Sequence, residues 1–223
     1  MIVRNPNYML LSGVSNDYDY WDGSVFPEWA GIKLMRYFPG QIKGSGVEPH
    51  YHDGDEIWLF ISGRGKVWLD GQSFEITPNT AVYTPMGVVH RFQAFTDFDN
   101  LAIVTRLERQ KRDLQLLEKE NGPPVPTVPG FVVRGDQNDG PFPDRGSRSP
   151  LSELRLIALQ AGDGIGEGTL SCHEYWVVAE GTCDLCVEGF SVELSPGDAA
   201  VLRAGSTRQL RSTENACLVV ARE

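Results

Sequence analysis

The sequence predicts an all-β protein in which two antiparallel β-barrels follow one another and are joined by a short helix. Two observations predict this fold class. Short apolar runs alternate with turns through both halves of the chain, which holds 24 Gly and 14 Pro among 223 residues. Many short strands at close spacing are typical of antiparallel barrels and sandwiches. The second observation is an internal repeat that relates one half of the chain to the other.

The first barrel is predicted between Gly31 and Thr105. Its strands end at turn residues, such as Pro39-Gly40 and the hairpin signal Asp70-Gly71. The predicted strands cover residues 32–38, 56–61, 66–69, 73–76, 81–83, 89–95 and 101–106.

The segment after the first barrel has a different composition. Residues 106–120 are charged, contain no Gly or Pro and carry several leucines, so they are predicted to form one helix. Residues 121–150 are rich in Pro, Gly, Asp and Ser, which indicates an inter-domain crossing with a short strand around 131–134. The predicted domains are therefore 1–107 for the first barrel, 108–150 for the helix and linker, and 151–223 for the second barrel.

The second half of the chain repeats the first at one gapless offset of 118 positions. The matched pairs are Glu56 with Glu174, Trp58 with Trp176, Gly63 with Gly181, Gly71 with Gly189, Glu75 with Glu193, Pro78 with Pro196, Ala81 with Ala199, and Gly87 with Gly205. Two copies of one barrel explain this pattern better than chance does.

Four residues of the first barrel form a candidate metal site. His50 and His52 are two apart, and such residues point to the same face of a strand. Glu56 follows a tight turn and begins the next strand, while a Pro/Gly turn precedes His90 on a distant strand. These histidines are three of only four in the chain. Three imidazoles and one carboxylate suit Fe(II), Mn(II), Ni(II), Co(II), Cu(II) or Zn(II).

The same residues resemble the two sequence motifs of the cupin superfamily. The first motif is matched fully by Gly44, His50, His52, Glu56 and Gly63. The second is matched by Pro85, Gly87 and His90, whereas Asn79 and Ala94 replace its first and last residues. The resemblance implies a bicupin, with two barrels of the double-stranded β-helix (jelly-roll) type and the metal ligands in the N-terminal one.

The second barrel is predicted to bind no metal. The offset of 118 carries His50 to Gly168, His52 to Leu170 and His90 to Arg208, so that only Glu174 remains. One carboxylate cannot hold a transition metal ion. We expect Glu174 and Arg208 to form a buried ion pair in its place. The alternative is a site for a small anionic effector at Arg208.

Strand alternation predicts the lining of the metal pocket. If Glu56 points inward, Trp58 and Phe60 do so too, and Phe92 follows His90. These aromatic side chains would form the wall of a substrate pocket. A core-packing role is the alternative for Trp58, because the second barrel keeps a tryptophan at the same position.

Two charged residues complete the predicted pocket. Arg36, on the strand before the motif, is a candidate for binding a substrate carboxylate or phosphate. Glu48 shares the parity of His50 and His52, so it is the candidate catalytic base that would shuttle a proton. The alternative for both residues is a solvent-exposed position at the barrel surface.

Composition restricts the partners of the protein. The formal net charge of −10 disfavours nucleic acid and anionic membranes as partners. The chain shows no secretory pattern at its start and no apolar stretch of about 18 residues. All four cysteines lie in the last quarter of the chain, which suits reduced thiols. A cytoplasmic protein, monomeric or homodimeric, is therefore predicted.

Three function classes follow from the metal site. By family resemblance, we expect an Fe(II) dioxygenase that acts on a small organic substrate. The alternative is a redox-neutral isomerase, epimerase or lyase of a sugar or small acid, in which the metal acts as a Lewis acid. The third class is a non-enzymatic cupin that binds a small molecule. The intact ligand set favours an enzyme.

Overall fold

The computed structural model describes residues 2–5, 7–11, 29–37, 46–52, 55–105, 130–133 and 153–222. All regular secondary structure in these ranges is β-strand, which confirms the all-β prediction. The short strand expected around 131–134 is confirmed, whereas the predicted helix at 106–120 lies outside the described residues. In the ranges described, no helix is long and apolar enough to cross a membrane.

In chain order, the strands are β1 (Ile2–Asn5), β2 (Tyr8–Leu11), β3 (Trp29–Tyr37), β4 (Gly46–His50), β5 (Glu56–Ser62), β6 (Gly65–Leu69), β7 (Gln72–Ile76), β8 (Thr80–Thr84), β9 (His90–Ala94), β10 (Phe98–Thr105), β11 (Phe131–Val133), β12 (Glu153–Leu159), β13 (Gly164–Thr169), β14 (Glu174–Glu180), β15 (Cys183–Val187), β16 (Phe190–Leu194), β17 (Ala199–Leu202), β18 (Thr207–Ser212) and β19 (Ala216–Arg222). The chain divides into an N-terminal unit, Asn16–Pro150, and a C-terminal unit, Met1–Ser15 with Leu151–Glu223.

The N-terminal unit consists of two antiparallel sheets. One has the strand order β11-β8-β5-β10-β3 and the other the order β4-β9-β6-β7. Strand β5 lies at the centre of the larger sheet, and its first six residues are buried on both faces. Strand β6 alternates between buried and partly exposed residues, as expected for a strand with one face on the core. The core between the sheets is aromatic and contains Trp58, Phe60, Phe92 and Phe98.

The turns of the two units confirm the internal repeat. Gly63 and Gly181, which are equivalent at the offset of 118, both have a positive φ angle. A Cβ atom at either position would collide with the carbonyl oxygen of a neighbouring loop residue, Asp97 or Asn215. Asn79, which stands where the family motif has glycine, has a φ of 64°. Asparagine tolerates this left-handed conformation, so the substitution preserves the turn.

The C-terminal unit receives its edge strands from the start of the chain. Its larger sheet has the order β1-β2-β17-β14-β19-β12, and its smaller sheet has the order β13-β18-β15-β16. Tyr8 and Leu10 of β2 are buried in the core of this unit. The predicted first domain, residues 1–107, had included both of these strands. A short strand can pair with any sheet edge that has unpaired backbone groups, and its sequence does not indicate which sheet that is.

Strand alternation separates the two cysteines of β15. Cys183 is buried and Cys186 is partly exposed, so the two thiols of the Cys-x-x-Cys sequence lie on opposite faces of the strand. All four cysteines are free thiols in the structure.

One buried polar residue of the N-terminal core leads to a stability prediction. Asn100 on β10 is fully buried opposite Phe60, and neither of its amide atoms has a hydrogen-bond partner among the residues described. Its counterpart in the second barrel is Leu218, which is also fully buried. We expect Asn100→Leu to raise the free energy of unfolding in urea by about 1 to 2 kcal/mol. The reverse change, Leu218→Asn, is the matched control and should lower it; a destabilised Asn100→Leu would contradict the prediction.

Candidate metal centre

The structure brings the four predicted ligands together. His50, His52, Glu56 and His90 are all buried, and their donor atoms lie within 4.8 Å of one another. His50 ends β4 and pairs in register with His90, the first residue of β9. Glu56 begins β5 in the facing sheet. The site therefore draws ligands from both sheets of the N-terminal unit.

Backbone carbonyls orient two of the imidazole rings. His50 Nδ1 lies 2.7 Å from the Glu48 carbonyl oxygen, and His90 Nδ1 lies 2.9 Å from that of Val88. Each Nδ1–H donates to the carbonyl two residues earlier, which leaves Nε2 as the nitrogen free to bind a metal. The Glu56 Oε2 atom lies 3.1 Å from His52 Nε2 and 3.3 Å from His90 Nε2. The donor atoms thus converge on one point.

The electrostatics of the site favour the charge states that metal binding needs. Burial, together with His90 and His52, lowers the pKa of His50 to about 4, so its imidazole is neutral at pH 7. Burial opposes ionisation of Glu56, but interactions with His52 and His90 outweigh it and hold the pKa of Glu56 well below its usual value. A neutral imidazole and an ionised carboxylate are the forms that bind metals.

The donor set fits a divalent transition metal. Three imidazoles and one carboxylate form a mixed nitrogen and oxygen site. The His90 Nε2 atom is buried, and its neighbour among the ligands is the Glu56 carboxylate at 3.3 Å, which would bind the same ion. An octahedral ion held by these four residues would keep two coordination positions open. The structure therefore supports metal binding by the N-terminal unit.

Asp55 ties the two ligand-bearing turns together, and the sequence analysis missed it. Its buried carboxylate accepts hydrogen bonds from Tyr83 Oη at 2.6 Å and from the Met86 backbone N–H at 2.9 Å. An equivalent link is present in the C-terminal unit, but a different residue makes it. Asp55 maps to His173, whose Nδ1 accepts a hydrogen bond from the Ala204 N–H at 3.1 Å, and Ala204 is the counterpart of Met86.

The predicted aromatic wall lies behind the ligands. The Trp58 ring is 5.2 Å from the His90 ring, centroid to centroid. Phe60 and Phe92 pack against Trp58 at 6.1 and 5.5 Å, on the side of the core. Trp58 therefore touches the ligand shell directly, while Phe60 and Phe92 support it. Contact of these rings with a substrate stays a prediction.

The backbone register does not bring Arg36 to the ligands. Arg36 on β3 pairs with Asp99 on β10, and Asp99 pairs with Ser62 on β5. Ser62 is the last residue of β5, whereas Glu56 is the first. Val104, the partner of Glu56, lies five positions further along β10, which corresponds to roughly 17 Å. Binding of a substrate carboxylate or phosphate by Arg36 stays a prediction.

A β-bulge displaces Glu48 from its predicted position. The register of β4 with β9 shifts between Val47 and His50, so two residues oppose one and the alternation of faces is broken. The Glu48 side chain is exposed, and its backbone carbonyl accepts the hydrogen bond from His50. Because of this bulge, strand alternation does not turn the Glu48 side chain toward the pocket. Its role as a base stays a prediction.

In the C-terminal unit, an arginine that the sequence analysis missed binds the remaining carboxylate. Arg222 Nε lies 2.6 Å from Glu174 Oε1, and the Trp176 indole N–H donates to Glu174 Oε2 at 2.8 Å. The predicted pair with Arg208 is present at the longer distance of 3.9 Å, while Arg208 Nη1 donates to the Gly166 carbonyl. Among the residues described, this unit contains no group of side chains that could hold a metal.

Comparisons with known proteins support the family resemblance. Residues 34–104 match the family model described as Cupin domain. The uncharacterised protein y4oW of Sinorhizobium fredii is 35% identical over 82 residues, which cover 36% of this chain and 38% of that protein. The mannose-1-phosphate guanylyltransferase of Salmonella montevideo is 33% identical over 70 residues, or 31% of this chain and 14% of that protein. The matches thus span far less than two thirds of either relative.

Solved structures resemble the whole chain. The salicylate 1,2-dioxygenase of Pseudaminobacter salicylatoxidans superposes with a TM-score of 0.60 at 12% identity, covering 89% of this chain and 72% of that one. AerE of Microcystis aeruginosa gives a TM-score of 0.60 at 11% identity, with 100% and 95% covered. The oxalate decarboxylase of Bacillus subtilis gives 0.60 at 14% identity, with 100% and 74% covered. At these identities, the similarity shows the fold.

The matched segment, residues 34–104, has the sequence of a cupin domain, and the whole chain has the fold of proteins with two cupin barrels. Both units have the two-sheet barrel fold, and the N-terminal unit carries the buried His-His-Glu-His group that could hold a metal ion.

Proposed function

We propose that the protein is an enzyme that binds one divalent metal ion per chain and acts on a small organic substrate in the N-terminal barrel. The observation that carries this proposal is the buried convergence of His50, His52, Glu56 and His90. Four protein ligands leave two positions of an octahedral ion open, and a substrate needs such open positions. A protein that only stored or carried a small molecule would not need them.

Within this function, we favour an Fe(II) dioxygenase that acts on a small acid. Iron(II) would bind and activate O₂ at this site, and the organic substrate, which is oxidised, would supply the electrons that reduce it. The metal would lie beside Trp58, which Phe60 and Phe92 support on the side of the core, and this apolar wall excludes water and suits O₂. The fold similarity to a salicylate 1,2-dioxygenase supports this choice.

A redox-neutral reaction is the second candidate. Its support is the fold similarity to an oxalate decarboxylase that has Mn(II) centres. A divalent ion in the same site would polarise a carbonyl or carboxylate oxygen as a Lewis acid. An isomerase, epimerase or lyase also needs a group that moves a proton. The predicted base, Glu48, is exposed, and this position favours the dioxygenase.

Oxygen uptake by metal-loaded protein separates the two candidates. Metal-free protein would be loaded with Fe(II) or Mn(II) without air and supplied with a panel of small acids that includes salicylate and oxalate. We expect oxygen consumption in step with substrate loss for the Fe(II) protein alone. The His90→Ala variant is the control and should consume none. Substrate loss without oxygen, with Mn(II) bound, would instead support the redox-neutral reaction.

A further inference from the structure

We propose that the indole N–H of Trp58 donates a hydrogen bond to an oxygen of a carboxylate ligand bound at the N-terminal metal site. This inference rests on the proposed function, since it assumes that a metal ion occupies the site. It assigns Trp58 to ligand recognition, and it defines the ligand class as small carboxylates.

The first observation is an unpaired donor beside the ligand shell. Trp58 is 2% exposed, and its Nε1 atom has no hydrogen-bond partner among the residues described. Its ring lies edge-on to the His90 ring at 5.2 Å. A buried N–H without an acceptor is destabilising, and most buried indole groups find a partner. A ligand oxygen that accepted this hydrogen bond would remove the cost.

The second observation comes from the other barrel. Trp176, the counterpart of Trp58, donates its indole N–H to Glu174 Oε2 at 2.8 Å. Glu174 is the counterpart of the metal ligand Glu56. An indole at this position can therefore reach a carboxylate oxygen at the position of the metal ligands. The degenerate barrel contains both the donor and its acceptor.

In the metal-binding barrel, the equivalent carboxylate, Glu56, does not accept a hydrogen bond from the tryptophan. The Glu56 Oε2 atom lies against His52 and His90, at 3.1 and 3.3 Å, and Trp58 makes no hydrogen bond to it. The N-terminal barrel thus has the indole N–H, but its glutamate contacts the histidine ligands instead. A neutral N–H beside a divalent ion suits an anionic oxygen. A carboxylate could bind the ion through one oxygen and accept from Trp58 with the other.

Ligand binding to cobalt-loaded protein tests the inference without any measurement of activity. Trp58→Phe removes the N–H and keeps an aromatic ring. Wild type and variant would be loaded with Co(II), checked for metal content, and titrated with acetate and with imidazole, following the visible absorption of Co(II). We expect equal metal content, an acetate affinity that falls about five- to tenfold in the variant, and an unchanged imidazole affinity. Trp176→Phe is the matched control and should bind acetate like the wild type.

Each contrary outcome has a distinct meaning. Equal acetate affinity in loaded wild type and Trp58→Phe would overturn this inference and leave the metal function intact. A loss of Co(II) from the variant would overturn it as well, because Trp58 would then act on Glu56 instead of the ligand. A wild-type protein that takes up no Co(II) would overturn the metal function, and this inference with it.

A second measurement needs no variant. The chain has five tryptophans, so the Zn(II)-loaded wild type has five indole N–H signals in a nitrogen-15 spectrum. One of them should move downfield when acetate is added and should not move with imidazole. If no indole signal responds to acetate, the inference is wrong.

Discussion

The double variant His50→Ala with His52→Ala is expected to bind no metal ion, whereas the wild-type chain is expected to bind about one. The change removes two of the four ligands. It leaves Glu56 and His90, whose facing atoms lie 3.3 Å apart. A carboxylate and one imidazole cannot compete with water and buffer for a divalent ion, so the affinity should fall by more than about 100-fold. Elemental analysis after metal loading and desalting measures the stoichiometry.

The chain offers a matched control for this experiment. It contains four histidines, and His173 is the one that lies in the C-terminal unit. His173→Ala also removes an imidazole, but it should leave the stoichiometry at the wild-type value. Two metal ions bound per wild-type chain, or none after supplementation with first-row metals, would contradict the site assignment.

The metal ligands were predictable because their geometry is mostly local. His50 and His52 are two residues apart, and Glu56 begins the next strand after a tight turn. The distant ligand His90 was recognisable from the turn before it and from the family motif. The repeat was predictable for a similar reason, since turns that require a positive φ angle keep glycine at both copies, as Gly63 and Gly181 do.

Features that depend on long-range pairing were not predictable. The bulge in β4 that exposes Glu48 arises from its pairing with β9, and alternation along one strand cannot reveal it. The partner of Glu174 is Arg222 because β14 and β19 pair with these two residues opposite each other. At the offset of 118, Arg222 maps to Val104, so the first barrel gave no sign of an arginine there.

Removal of the Glu174 carboxylate is expected to destabilise the C-terminal unit strongly. The carboxylate is 2% exposed and accepts charge-assisted hydrogen bonding from Arg222 at 2.6 Å. It also accepts the indole N–H of Trp176 and lies 3.9 Å from Arg208. In Glu174→Ala, Arg208 loses its counter-charge and Arg222 keeps only that of Glu153 at 2.6 Å, and breaking such a buried pair costs up to about 3 to 5 kcal/mol. Urea unfolding measures the loss, and Glu193→Ala, which changes an exposed glutamate of β16, is the control with a change below about 0.5 kcal/mol.

A double variant that lacks both Glu174 and Arg222 separates two contributions to stability. One is the stabilisation by the ion pair, and the other is the cost of leaving one charge unpaired. Apolar replacements of a buried pair are often neutral in stability, because the cost of desolvating both charges is also removed. Glu153 also pairs with Arg222, and in Glu174→Leu with Arg222→Leu it keeps Arg155 at 2.6 Å. No carboxylate that contacted Arg222 is therefore left unpaired. We therefore expect the double variant to regain the part of the lost stability that comes from Arg222, while Arg208 keeps only its hydrogen bond to the Gly166 carbonyl. A Glu174→Ala variant within about 1 kcal/mol of wild type would contradict the assignment of this pair as the replacement for the metal ion.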